Sequence, residues 1–126
     1  MIPARDEWLV DFLTARLDED AEAVEAASTE VGSTGEWVAT LDRRRAPSVT
    51  TVSLGRDVLV ASPLGTQDAA FIARFDPARA RREVEYGRWL LAGHAEQRSV
   101  RSLRGLQRYA LRFDAHPDWD ESWRPA

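Results

Sequence analysis

Apolar residues recur with a helical period at both ends of this chain and with period two only between Glu36 and Ala61, a segregation that restricts the fold more than any single motif. At ~100° per residue, Leu9, Phe12, Leu13, Leu17, Val24 and Ala27 fall on one side of a helix over residues 6–27. Glu7, Asp11, Asp18, Glu22 and Glu25 form an acidic stripe opposite, and the Ser-, Thr- and Gly-rich stretch 28–35 ends the helix. Three strands are predicted next. Residues 36–42 place Trp37, Ala39 and Leu41 on one face, residues 48–54 are β-branched from Val49 to Val52, and residues 58–61 close the set. Residues 43–47 join the first two strands, and Gly55-Arg56-Asp57 is the expected hairpin turn between the others. So small a meander is not stable alone, so helices should cover one of its faces.

After the break at residues 62–65, helices are predicted over 67–75, from Asp76-Pro77 to about 95, and over about 99–113. Asp76 reads as an N-cap, and Pro77 occupies the first helical position, where its missing N–H leaves no bond unmade. Ala80, Val84, Gly87, Leu91 and Ala95 form the inner stripe of the long helix, with Gly87 marking a close crossing. Val100, Leu103, Leu106, Ala110 and Phe113 form that of the last, and a short tail follows with Trp119 and Trp123 four residues apart. Trp8, Trp37 and Trp89 lie beside apolar stripes and are expected to add bulk to the core. The expected architecture is a single α+β domain over residues 1–126: a helix, a three-stranded antiparallel meander, three helices and a Trp-containing tail.

A chain of 126 residues can bury one core, and 44% hydrophobic with 30% charged residues excludes a disordered class. The longest apolar run, residues 69–73, has five residues against the ~20 of a membrane helix. Arg5, Asp6, Glu7 and Asp11 stand where a signal peptide needs an apolar stretch, so a cytoplasmic location is expected. The absence of cysteine removes disulfides, thiolate metal sites and thiol catalysis. All 17 basic residues are Arg and there is no Lys or Asn, the signature of a GC-rich coding bias; each Arg is thus weaker evidence of bidentate recognition.

Two segments, Ala69 to Glu85 with its core Ile72-Ala73-Arg74-Phe75-Asp76-Pro77-Ala78-Arg79-Ala80-Arg81-Arg82-Glu83-Val84-Glu85, and Asp114-Ala115-His116-Pro117-Asp118-Trp119 to Trp123-Arg124-Pro125, resemble a family of small uncharacterised actinobacterial and actinophage proteins, a domain of unknown function. A weaker likeness extends over Leu13 to Asp20 and to Trp37. The resemblance implies no activity. The family commonly carries His where this chain has Phe71 and Phe75, so a metal or proton-transfer site built on that pair would be absent here.

Net charge is only −4, but it is sorted: residues 1–36 carry −8 and residues 83–113 carry +3. The strongest candidate site is the series Arg98, Arg101, Arg104, Arg108 and Arg112, all within ~120° of one helical face, with no acid between Glu96 and Asp114. Such a ridge fits carboxylate or phosphate recognition, or neutralisation by the acidic stripe of the first helix. Trp119 and Trp123 either pin the tail or anchor a partner. Arg16 and Asp20 point into an apolar face, where charge must be paired; with Arg79 and Glu83 they form a candidate polar pocket, the alternative being an i, i+4 ion pair. His116 between Asp114 and Asp118, and the Glu22-x-x-Glu25 spacing, are weak metal patterns, and no phosphate loop or nucleophile elbow is present.

These features point to a small non-enzymatic adaptor that docks an unknown protein partner, or a second copy of itself, through charged helical faces, with no cofactor, metal or membrane involved. A nucleic-acid-binding regulator using the Arg98–Arg112 ridge is the first alternative, disfavoured by a pI of about 5.2. A metal-dependent nucleotide-processing enzyme is the second.

Overall fold

The computed structural model describes residues 4–29, 33–41, 46–53, 56–62 and 65–126. Helix α1 (Ala4–Thr29) is followed by β1 (Ser33–Thr40), β2 (Ser48–Ser53) and β3 (Arg56–Ala61), then by α2 (Thr66–Arg74), α3 (Pro77–Gln97) and α4 (Val100–Ala110). Two 3-10 turns, Leu111–Phe113 and Glu121–Trp123, complete the chain. The α+β order predicted from periodicity is the order observed. No helix among the described residues is long and apolar enough to cross a membrane. The chain divides into two compact units, one of Met1–Asp20 with Val84–Ala126 and one of Ala21–Glu83.

In the second unit the sheet is an antiparallel meander in the order β1-β2-β3. Val38, Thr50 and Leu59 pair across it on the solvent side, with Val38 and Leu59 exposed, while Val49 and Thr51 are buried on the other. The stretch 33–35, predicted as loop, belongs to β1. Gly35 adopts φ 82°, which a side chain would oppose, at the irregularity where the register of β1 shifts between Ser33 and Trp37. Arg56 and Asp57, predicted as turn, are strand residues paired with Ser53 and Val52; turn chemistry in their sequence yielded to the pairing of β2 with β3. Most of the predicted 43–47 connection lies outside the described residues. Helix α2 packs on β1 and β2 through its buried Ala69. Asp76 acts twice: Oδ1 accepts from Arg79 N at 2.7 Å to cap α3, and Oδ2 accepts from Trp37 N at 3.1 Å, fastening the helix start to β1.

The core of the first unit is built by Leu9, Phe12, Leu13 and Leu17 of α1 with Leu106, Tyr109 and Ala110 of α4. Ser99 caps α4 through a reciprocal box with Ser102. Several predicted core positions are not buried. Ala27, Ala95 and Val100 are exposed, each standing at the end of its helical stripe where packing partners run out. Trp8 and Trp89 are 61% and 68% exposed. In α3 the inner face runs through Val84, Gly87 and His94, and at ~100° per residue Trp89 stands ~160° from Gly87, on the far side.

Candidate interaction surface

The ridge divides into used and unused arginines. Arg98 precedes α4, with φ 48°, and its Nε donates to Ala95 O at 3.4 Å. Arg112 follows α4; its guanidinium stacks 3.8 Å over the Tyr109 ring while Nε donates to Tyr109 O at 3.2 Å. Arg101, Arg104 and Arg108 are exposed and have no hydrogen-bond or ion-pair partner among the described residues. Among the described residues no ion pair joins these three to the acidic stripe of α1. Two acids of that stripe pair with α3, Asp18 with Arg88 at 3.1 Å in the first unit and Glu25 with Arg81 at 3.4 Å in the second. Three like charges in successive turns mildly oppose the helix that carries them, which the capping box and the buried Leu106 face offset.

Beside this ridge, α3 and α4 enclose a groove of about 230 Å³. Trp89 and Arg101 line it, and Gly93 and Gly105 face it with no atom within 4 Å of where a Cβ would stand. Tyr86 stacks on Trp89 with ring centroids 6.0 Å apart, so two exposed rings extend along the α3 side.

Trp119 and Trp123 serve the chain's own packing. Trp123 is 6% exposed, its ring 5.0 Å from Phe12 of α1 and 5.6 Å from Trp119, whose Nε1 donates to Glu121 Oε1 at 3.2 Å. Arg16 shares the work of holding the tail. It is buried, bonds Glu19 at 2.8 and 3.0 Å rather than Asp20, and reaches His116 Nδ1 at 3.1 Å and Asp118 at 3.8 Å. The i+3 carboxylate wins because Glu19 presents both oxygens to the guanidinium fork. His116 Nδ1 also accepts from Asp118 N at 3.0 Å; with two donors facing it, this nitrogen is an acceptor and the other ring nitrogen carries the proton in the neutral ring. Asp114 is taken by Arg124 at 3.2 Å, so the Asp-His-Asp spacing serves two arginines, and among the described residues no group of three His, Cys, Asp or Glu could hold a metal ion.

The four residues of the candidate polar pocket fall in different units. Arg16 and Asp20 belong to the first; Arg79 and Glu83 belong to the second, where Arg79 stacks 4.5 Å over Phe75. Phe75 in turn lies 4.8 Å from the exposed Phe71.

Two sets of carboxyls titrate with opposite sign. Partial desolvation, with Glu19 alongside, raises the Asp20 pKa against the pull of Arg112 and Arg16. Its stabilising contribution is therefore present at acid pH and lost as pH rises through the raised value. Asp120 is lowered by the Ser122 N–H and Glu121 by its bond to Arg124, so their contributions hold above the usual carboxylate range and vanish as pH falls below it. We expect tryptophan emission to report loosening of the tail below about pH 4, and Asp20→Asn to raise stability at neutral pH while giving no gain in acid; identical pH profiles for variant and parent would refute the second expectation.

The fold and surface define a small α+β protein with a basic helical face and a charged, tryptophan-anchored tail. The chain belongs to the family of unknown function DUF6221, whose pattern matches residues 6–125. No curated protein and no solved structure matches it.

Proposed function

We propose that this chain is a non-enzymatic docking protein that holds an acidic segment of a protein partner against α4. The observation that carries this reading is that Arg101, Arg104 and Arg108 are exposed with no partner among the described residues, whereas Arg81, Arg88 and Arg124 are paired with Glu25, Asp18 and Asp114. Charge complementarity selects an acidic partner, and the adjacent Trp89 and open Gly93/Gly105 groove supply the aromatic anchor and the recess that strong protein contacts use.

One observation favours nucleic acid as a second reading. The exposed Tyr86–Trp89 stack beside Arg101 resembles the aromatic-plus-cation platforms on which single strands lie, although a pI of about 5.2 opposes approach of a long polyanion. Fluorescence anisotropy with the full chain separates the two. An acidic peptide carrying one leucine and one phenylalanine should bind at physiological salt, and a single-stranded oligonucleotide of equal charge should not. Tighter binding of the oligonucleotide would replace the protein-docking reading with the nucleic-acid one.

A further inference from the structure

Two helical faces of the first unit carry the same pattern with opposite charge. On α1, Glu7 and Asp11 are exposed without an ion-pair partner among the described residues, and Trp8 between them is 61% exposed. On α4, Arg104 and Arg108 are exposed and unpartnered in the same sense, and Gly105 between them opens on the α3–α4 groove. Each pattern consists of a charge, a central residue one position on, and a second charge four positions on, a span of ~6 Å along a helix. At ~100° per residue the central residue stands ~80° round the helix from the midline of its two charges, in the same sense on both helices. Leu9 and Leu13 take the opposite side of α1 into the core, which leaves Glu7, Trp8 and Asp11 open to another molecule.

We propose that the acidic partner of α4 is a second copy of this chain, each copy laying the start of its α1 against the α3–α4 groove of the other. The inference rests on the docking reading above and names its occupant. Charge complementarity selects that occupant, since residues 1–36 carry −8 and residues 83–113 carry +3. Helix geometry sets the register. When two helices face each other antiparallel, residues displaced in the same angular sense come to the same side. Glu7 then stands opposite Arg108, Asp11 opposite Arg104, and Trp8 lies on the side of Gly105, over the groove. Gly93 and Gly105, with no atom within 4 Å of where a Cβ would stand, leave the indole room to approach, and Trp89 lines the groove that receives it. An aromatic anchor in a recess flanked by charge pairs is the arrangement in which a few residues carry most of a contact. Because each copy bears both faces, a two-fold axis makes the contact twice and closes the assembly at a dimer. Its charge pairs start from exposed side chains, so the dimer is weak and sensitive to salt.

Sedimentation equilibrium of the full chain at low salt tests the proposal, with two charge-reversed variants, Glu7→Arg/Asp11→Arg and Arg104→Glu/Arg108→Glu. The parent is expected to dimerise as its concentration rises and to dissociate as salt is added. Each variant alone should be monomeric, because like charges meet in both contacts. An equimolar mixture of the two should recover the dimer, because both contacts again join unlike charges. Trp8→Ala, a change at an exposed site, should fold as the parent does and weaken dimerisation by about tenfold or more. Should a reversed pair fail to fold, Trp8→Ala and the salt dependence of the parent still decide. A parent that stays monomeric up to about 1 mM, assembly beyond a dimer, a mixture of folded variants that stays monomeric, or a Trp8→Ala chain that dimerises as the parent does would each overturn the proposal. If the parent is monomeric yet binds the acidic peptide, the second copy is excluded and the docking reading stands; if it is monomeric and binds no peptide, both fall.

Discussion

Truncation of Trp123 to alanine is expected to lower the unfolding free energy by about 3–5 kcal/mol, the range found for large aromatic side chains removed from packed sites. The Trp123 ring is buried against Phe12, which also meets Phe113, His116 and Trp119 edge-on at centroid distances of 5.6–6.3 Å. Removing it leaves the Phe12 face of α1 without its closest ring. Since a domain of this size has ~5–15 kcal/mol in total, a large fraction of the stability is at stake. Urea unfolding measures it directly. A loss below about 1 kcal/mol, the level of an ordinary surface change, would show that the tail is not part of the core.

Gly87→Ala is expected to destabilise by about 1–3 kcal/mol even though alanine is the better helix former by ~1 kcal/mol. A Cβ at this position would stand 2.7 Å from Tyr109 Cζ and 2.8 Å from Leu17 Cδ2, with Tyr109 Oη nearer still. Both neighbours are buried, so neither ring nor methyl can swing into solvent. Tyr109→Phe in the same chain should recover part of the loss, because it removes the nearest atom, and the two changes should therefore be non-additive. A higher melting temperature for Gly87→Ala alone would mean that α3 and α4 do not approach as closely as described.

The order of elements was legible because local periodicity is a local property. Leu9, Phe12, Leu13 and Leu17 could be assigned to one face of α1, and Asp76-Pro77 to a helix start, from spacing and side-chain chemistry alone. Gly87 was legible for the same reason, as a residue without a side chain on an apolar stripe. What local pattern does not contain is the identity of a distant partner. Arg16 reads as half of an i, i+4 pair with Asp20, but its buried guanidinium is shared between Glu19 and a histidine 100 positions away. Trp89 reads as core because large rings usually are, and only its angle from Gly87 places it outside. The ridge was visible in the Arg spacing, but which of its five members are available depends on backbone acceptors near Ala95 and Tyr109 that no spacing rule reveals.

In the proposed docking role, Arg101, Arg104 and Arg108 serve a partner and not the fold. The measurement that tests it most directly pairs urea unfolding with acidic-peptide anisotropy on one variant, Arg101→Gln/Arg104→Gln/Arg108→Gln, beside Arg88→Gln, which breaks only the exposed pair with Asp18. Glutamine preserves helix propensity and part of the aliphatic stem while removing charge. The triple variant is expected to unfold within about 1 kcal/mol of the parent, as changes at unpaired surface sites do, and no longer to bind the peptide, while Arg88→Gln binds it as the parent does. A triple variant that still binds the peptide, or that loses several kcal/mol of stability, would contradict it.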